Sequence, residues 1–226
     1  MQRRLVIFDS QRCGGDPPLQ DGDPQSGSAD ERRTTQLVLR PTPQQRSEAA
    51  LPVAEIRFID VDDAASANPE PAVPGQPRSA AVYRAVTPRL TRDEEGTRAG
   101  TADSVAGVPR PLRRYWFLSF VNGLPGHEHD YDRWYLKHHL HEVLRAPDFV
   151  AAQRFTLERS LQHELLPPFR FMAVYELRSN DLARSIAALN ALVASGSMTE
   201  TPFKDPSRRL QLFAEAMQID DIGGRP

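Results

Sequence analysis

Cysteine is almost missing from this chain of 226 residues, which contains only Cys13. A single thiol excludes an internal disulfide framework and a zinc site built on cysteine. Long hydrophobic runs are also missing, since no stretch approaches the roughly 18 apolar residues that a membrane helix requires. The apolar stretch near residue 5 is too short for a secretory signal. We therefore expect a soluble, cytoplasmic protein with no membrane partner.

An excess of charge of one sign and the common cofactor motifs are missing as well. The formal net charge is −2 at pH 7, so no electrostatic attraction to nucleic acid is expected. The sequence contains no glycine-rich dinucleotide or phosphate loop, no serine-hydrolase elbow and no kinase signature. We therefore expect neither a nucleic-acid partner nor a cofactor.

Aromatic residues and prolines are distributed unevenly about a boundary near residue 113. Of the 17 aromatic residues, 14 follow this point, as do all six histidines, whereas 13 of the 20 prolines precede it. Aromatic side chains bury large apolar areas, so the C-terminal half should hold most of the core. We divide the chain into a first unit at residues 1–89, a linker at 90–112 and a site-bearing unit at 113–222.

The C-terminal half alternates strand and helix patterns. Aromatic and β-branched runs predict strands at 115–121, 149–157 and 169–177. A final strand is predicted at 210–219, although the alanine and glutamate of that segment also permit a helix. A helix is predicted at 130–145, because Leu136, Leu140, Val143 and Leu144 follow its 3.6-residue period. A second helix is predicted at about 180–193. The order β-α-β-β-α-β is that of a ferredoxin-like unit.

The N-terminal half has a fainter version of this order. Strand patterns occupy residues 5–8, 35–39, 54–61 and 80–86. Residues 34–40 resemble 151–157 at an offset of 117, and 56–63 resemble 174–181 at an offset of about 118. The agreement of the offsets favours a decayed duplication, and chance similarity of short strands is the alternative. No counterpart of the 130–145 helix is evident in the first half.

Residues capable of chemistry concentrate in the helix predicted at 130–145. At about 100° per residue, His139 lies nearest the apolar stripe, one turn after Tyr135, whereas His138 and His141 lie away from it. A histidine at the border of an apolar face can line a pocket and titrate near neutrality. The alternative is a hydrogen-bonded histidine at the boundary of the core.

The histidine spacing does not favour a metal site. Residues 127–130 alternate histidine with acidic residues in a loop bounded by glycine and proline, and HExxH is absent. His138 and His141 are neighbours on one helix, yet no carboxylate or thiol completes a ligand set. We expect no metal.

The segment 130–155 resembles the EthD-like branch of the dimeric α+β barrel superfamily. The motif W-Y-x-x-x-H-x-x-E-V-L occurs at 134–144, and Q-R-F occurs at 153–155. The family motif between these two, P-G-F, reads P-D-F at 147–149, so Asp148 replaces its glycine. A second departure is His141, where the family often has proline. The layout of the family covers residues 113–220.

This resemblance implies an α+β fold in which two ferredoxin-like sheets pack face to face, with a small-molecule pocket in each unit. For this chain it implies two β-α-β-β-α-β repeats, the first degenerate, that form the barrel within one chain. One competent pocket, in the second repeat, is then expected, and further homodimer formation is left open. The superfamily includes monooxygenases, isomerases, cyclases and haem-binding relatives, so the fold does not select a reaction.

We expect a cofactor-independent enzyme, of the lyase or isomerase class, that acts on a hydrophobic, aromatic or polyketide-like carbonyl or hydroxyl compound. His139 would be the general base, with Tyr135 as a second catalytic residue. Tyr135, Asn122 or Arg154 would stabilise the oxyanion that forms. The expected substrate-binding residues are Asn122, Trp116, Trp134, Arg154 and Phe155. The reaction would be an elimination, isomerisation or cyclisation.

Two other functions fit the same residues. One is an oxygen-using monooxygenase, or a haem-binding relative with His139 as axial ligand. The other is a non-catalytic ligand-binding or scaffolding protein whose pocket has decayed together with the first repeat.

Overall fold

The computed structural model describes residues 2–10, 35–45, 53–62, 67, 77–92 and 111–221. These ranges contain nine strands: β1 (Arg3–Ser10), β2 (Thr35–Gln45), β3 (Val53–Val61), β4 (Arg78–Ala85), β5 (Leu90–Thr91), β6 (Arg113–Gly123), β7 (Phe149–His163), β8 (Phe171–Ser179) and β9 (Lys204–Asp221). Leu90 and Thr91, which the sequence assigns to the linker, instead form β5 and pair with β7. Cys13 and linker residues 93–110 lie outside the described ranges.

The strands form an antiparallel sheet that closes on itself. Their order is β4-β1-β3-β2-β9-β6-β8-β7-β5, and an additional pairing of β4 with β7 completes the circuit. In that pairing Arg84 lies opposite Thr156. Closure gives each of the eight long strands a partner on both sides, which removes exposed sheet edges. An α+β fold with a barrel is confirmed.

The two halves of the chain contribute strands in the same spatial order. The first strand of each half lies between the last and the third, as β4-β1-β3-β2 and as β9-β6-β8-β7. The halves meet where β2 pairs with β9 and where β4 pairs with β7. The expected absence of a second histidine-bearing helix falls on residues 11–34, outside the described ranges.

The helices of the described ranges all belong to the second half. α1 (Glu128–Trp134) passes through a π-helical turn (Tyr135–His139) into α2 (Leu140–Val143), and α3 is Leu182–Ala194. Sequence periodicity places Leu136 on the buried stripe, but Leu136 is only half-buried and Tyr135 is buried. The wider π turn changes the angular spacing of the residues, which accounts for the difference. None of the described helices combines the length and the apolar character that crossing a membrane requires.

The turn that leads from α2 into β7 forms around an aspartate. Asp148 has a φ of 69°, in the left-handed region that glycine, asparagine and aspartate enter most readily. Its carboxylate accepts hydrogen bonds from Ser179 Oγ at 3.0 Å and from Ser185 Oγ at 2.6 Å. Asp148 therefore adopts the left-handed backbone conformation of this turn and also ties the turn to the start of α3.

Alternation along β6 divides the apolar side chains between two layers. Trp116, Leu118 and Phe120 belong to a cluster in the barrel interior that includes residues of both halves. Tyr115 and Phe117 belong to a second cluster, between the outer face of the sheet and the helices. Successive strand residues point to opposite faces, so β6 is buried on both sides. Around Leu118 and Phe120, packed side chains occupy the barrel interior.

Leu118 tests the barrel interior, because its side chain is fully buried there. We expect Leu118→Ala to lower the free energy of unfolding by about 2–5 kcal/mol, through lost apolar burial and the cavity left behind. Leu112→Ala is the matched control, because Leu112 is 66% exposed and should change stability by only about 0.5 kcal/mol. Urea unfolding measures both. Equal effects would contradict the placement of Leu118.

Candidate functional site

A cavity of about 340 Å³ lies between the outer face of the sheet and the helices. Phe117 of β6 lines the sheet side, Tyr135 and His139 line the helix side, and Leu189 of α3 and Arg209 of β9 contribute further walls. All the described lining residues lie between positions 117 and 211. The volume is at the lower end of the roughly 300–1,000 Å³ typical of small-molecule sites.

The π-helical turn places two aromatic rings and an imidazole in one wall. The His139 ring stacks on Trp134, with centroids 4.5 Å apart and planes inclined by 23°. It meets the Tyr135 ring edge to face at 4.7 Å. Trp134 is held in turn, because its Nε1 donates to the Thr199 carbonyl oxygen at 3.0 Å. Single π turns within helices occur frequently at functional sites.

His139 is neutral at pH 7. Burial lowers its pKa from the usual 6.5 to about 4; Glu142 opposes this shift, and the positive charges of Arg154 and Lys204 add to it. Its Nδ1 is buried and has no hydrogen-bond partner among the described residues. The alternative of a hydrogen-bonded histidine at the boundary of the core is therefore not supported at Nδ1, because no hydrogen bond from the described part of the chain holds the ring there.

A buried arginine lies directly behind the cavity wall. Arg154 of β7 has no exposed surface, and its guanidinium carbon lies 3.7 Å from the centre of the Tyr135 ring and 4.6 Å from that of Phe171. Its Nε donates to Asp132 Oδ1 at 3.3 Å. Both terminal nitrogens lack a hydrogen-bond partner among the described residues. Leaving charged N–H groups buried and unpaired is costly.

Two further tyrosines surround this guanidinium. Burial raises the pKa of Tyr131 and of Tyr175 well above the usual value for a phenol, so both hydroxyls stay protonated. Tyr131 meets Tyr135 edge to face at 5.5 Å. The Tyr175 hydroxyl is buried, and the neighbouring Tyr135 side chain contributes to its raised pKa. The wall behind His139 therefore combines one cation with neutral phenols.

The structure brings three of the seven predicted site residues to the cavity. His139, Tyr135 and Trp134 line it, whereas Arg154 lies behind the wall, against the rings of Tyr131 and Tyr135. Asn122, at the end of β6, has a different contact: its Oδ1 accepts a hydrogen bond from the Arg170 amide at 2.7 Å. Asn122 therefore holds the backbone at Arg170, the residue before β8, and does not line the cavity.

Trp116 and Phe155 do not lie beside His139. Both belong to the cluster in the barrel interior, on the opposite face of the sheet. The physical reason is strand alternation, because each follows a residue that faces the helices, Tyr115 and Arg154 respectively. Their expected role as substrate-binding residues of this cavity is therefore corrected.

Trp116 instead lines a second cavity, of about 180 Å³, between strands of both halves. The carboxylates of this second cavity are paired. Asp60 accepts a hydrogen bond from Arg4 Nε at 3.0 Å, and Glu176 forms a two-point contact with Arg89 at 2.7 and 2.8 Å.

Sequence reasoning missed five polar residues at or behind the first cavity: Tyr131, Tyr175, Lys204, Arg209 and Gln211. Tyr131 could have been found, because it lies one helical turn before Tyr135. Lys204 and Arg209 precede residue 210, where the last strand was predicted to begin. Pro206 interrupts that segment, and proline within a strand pattern argues against a strand.

The described residues do not suit a metal or a haem. Among them, no three His, Cys, Asp or Glu side chains form a group that could hold a metal ion. The 340 Å³ cavity suits a molecule of a few rings better than a haem macrocycle.

Comparison with known proteins finds likenesses to solved structures. A scan against protein-family models finds no match, and a search of curated proteins finds no similar sequence. A solved structure described as an anthrone oxidase-like protein matches with a TM-score of 0.45 and 11% identity, over 97% of this chain and 92% of that chain. Chains this different can share an arrangement of strands and carry unrelated sites.

Replacing Arg154 tests whether its buried charge contributes to stability. We expect Arg154→Met to leave the free energy of unfolding unchanged or to raise it by about 1–4 kcal/mol, because an apolar chain replaces an underpaired buried cation. Arg154→Ala should lower it by about 2 kcal/mol or more, because it leaves a void. Urea unfolding distinguishes the two. A large loss of stability in Arg154→Met would show that the guanidinium is structurally required.

The buried imidazole predicts a pH dependence of stability. The pKa of His139 is about 4 in the folded chain and about 6.5 in the unfolded chain, so the unfolded chain binds the proton more readily. Stability should therefore fall as pH falls from 6.5 towards 4, by up to about 3 kcal/mol. His139→Gln removes this contribution. Unfolding at pH 7 and pH 4.5 measures the difference, and parallel profiles for wild type and variant would contradict the assignment.

Proposed function

We propose that this chain is an enzyme that binds a small aromatic compound bearing a carbonyl or hydroxyl group and removes a proton from it. The observation that carries this proposal is the neutral imidazole of His139 in the wall of an aromatic-lined cavity. A general base must be unprotonated at the working pH and within reach of the substrate. An apolar cavity of this size with a few polar groups is the usual form of a small-molecule site.

His139 accepts the proton in this mechanism. The C–H or O–H bond of the substrate breaks, its electron pair moves onto the substrate oxygen, and an enolate or phenolate forms. A pKa of about 4 leaves the imidazole available at pH 7 but makes it a weak base. The proton removed must therefore be acidic, such as one between a carbonyl group and an aromatic ring, and the oxyanion must be stabilised.

Arg154 and Tyr135 supply that stabilisation. The Tyr135 side chain lines the cavity, and its hydroxyl is the proposed donor to the oxyanion. Arg154 is a positioning residue, because its charge lies 3.7 Å behind the Tyr135 ring and acts across it. A fixed positive charge away from water stabilises a developing negative charge more strongly than it would in water.

The oxyanion then leads to elimination, isomerisation or cyclisation. In an isomerisation, protonated His139 returns the proton to another carbon of the substrate. In an elimination, it protonates the group that leaves. We therefore propose a cofactor-independent lyase or isomerase, with the described lining residues of the second half forming the site and the first half serving as scaffold.

We also infer that the barrel is a duplicated ferredoxin-like unit of the EthD-like kind. The repeated strand order of the two halves supports this inference. So do the two sequence similarities, because each joins strands that hold the same place in their half: β2 with β7, and β3 with β8. The motif at residues 134–144 carries the likeness to the EthD-like branch.

Proton abstraction can be measured before the product is known. Two- and three-ring aromatic ketones and phenols are first screened for thermal stabilisation of the protein, and those that bind are incubated in D₂O. We expect deuterium to enter an acidic C–H position of at least one ligand, detected by mass spectrometry. His139→Gln should slow this exchange about 10²–10⁴-fold without abolishing binding.

His138→Gln is the matched control, because His138 is the exposed neighbour of His139. It should exchange at the wild-type rate. Exchange by His139→Gln at that rate would contradict the proposed base, and binding without exchange for every ligand would favour a non-catalytic binding protein. A product that forms only when O₂ is present would assign a monooxygenase reaction in place of a lyase or isomerase.

A further inference from the structure

The mouth of the first cavity carries two cations and no acidic side chain. Lys204 and Arg209 of β9 both line the cavity and are both exposed. No carboxylate is present among the described lining residues, and no ion pair joins either cation to one in the described part of the chain. Several other arginines of the barrel, by contrast, form ion pairs, as Arg3 does with Glu158 at 2.9 Å.

Strand pairing holds these two side chains beside the site. Arg209 lies opposite Val121 of β6, and Lys204 lies opposite Gly123. Leu210, the residue after Arg209, belongs to the barrel interior, so alternation directs Arg209 towards the helices. Both cations are thus attached to a strand of the closed barrel and not to a free loop.

The positive charges of Lys204 and Arg209 repel each other. Partial loss of hydration beside the cavity lowers the pKa of Lys204 from its usual value, and the neighbouring charge of Arg209 lowers it further. Like charges held together without a counter-charge destabilise the protein unless an anion joins them. An anion at this mouth would relieve that repulsion, and the aromatic lining behind it would accept an attached ring.

We propose that the cavity selects an aromatic carboxylate, whose carboxylate group binds between Lys204 and Arg209 while its ring enters towards Tyr135 and His139. This inference rests on the proposed function, since it names the substrate class of the same site. Lys204 and Arg209 are then specificity residues, distinct from the groups that carry out the proton transfer.

The negative charge of the bound carboxylate should also change the pKa of His139, the proposed base. The groups that act on His139 are Glu142 of α2, Arg154 of β7 and Lys204 of β9, and the last two lower its pKa. A carboxylate bound beside Lys204 offsets part of that positive field, so the pKa of His139 should rise when the substrate binds. Coupling of this kind is reciprocal, so protonation of His139 should also tighten binding of the anion.

The test compares two probes that differ only in charge, 2-naphthoate and its neutral amide, 2-naphthamide. Binding is measured by calorimetry at pH 7.5 and low salt. We expect 2-naphthoate to bind at least tenfold more tightly than 2-naphthamide. Lys204→Met and Arg209→Met should each weaken 2-naphthoate binding about two- to fivefold and leave 2-naphthamide unchanged, and the double variant should bind both probes about equally.

Lys137→Met is the matched control, because Lys137 is the other lysine of the chain and is exposed outside the cavity lining. It should bind both probes as the wild type does. High salt should reduce the preference for 2-naphthoate, because salt screens exposed charges. Saturating 2-naphthoate should raise the pKa of His139 in an NMR titration, whereas 2-naphthamide should not.

Equal affinity of the wild type for the two probes would overturn the inference, and so would a preference that survives in the double variant. If both probes bind equally and His139 still drives deuterium exchange, only the substrate class is wrong. If neither probe binds, both the inference and the proposed aromatic site fail. All the variants replace exposed residues, and thermal unfolding checks that each remains folded.

Discussion

Closure of the sheet is the constraint on which the remaining structure depends. Because β4 pairs with β7 and β2 pairs with β9, every long strand has one face towards the barrel interior and one face outwards. Side chains such as Leu118, Phe120 and Leu212 fill the interior. In the second half, the outer face and the helices that cover it enclose the candidate site. The barrel thus provides one wall of the cavity, and the helices provide the other.

The electrostatic properties of His139 and Arg154 follow from their burial between the sheet and the helices. Removing His139 from water makes its charged form unfavourable, so the imidazole stays neutral at pH 7. Arg154 cannot be neutralised in the same way, because a guanidinium keeps its charge in proteins. Its charge is partly balanced by Asp132 and lies against the faces of Tyr135 and Phe171. A neutral base next to a fixed cation is suited to forming an anion on a bound molecule.

Local sequence patterns were sufficient for much of the fold. The aromatic run predicted at 115–121 is β6, and the apolar period at 130–145 is the helix that joins Tyr135 to His139. The start of β9 and the π turn were not predictable from local sequence patterns. β9 begins at Lys204, despite Pro206, because pairing with β6 holds that segment in the sheet. The π turn exchanges the burial of Tyr135 and Leu136, although the local sequence favours a regular helix.

Site residues on strands were predicted less well than those on the helix. Alternation indicates that Trp116 and Phe155 face away from their neighbours, but both faces of β6 are apolar, so the pattern does not show which face meets the helices. On the helix, by contrast, one apolar stripe was enough to select His139 from three nearby histidines.

The most direct test of the central claim is a crystal structure with a bound aromatic ligand that stabilises the protein. The account predicts that the ring lies between Phe117 and the π-helical turn, with a reacting atom about 2.6–3.2 Å from a nitrogen of the His139 imidazole, directly or through one water. A ligand in the cavity beside Trp116, or a His139 ring turned away from the bound molecule, would contradict it.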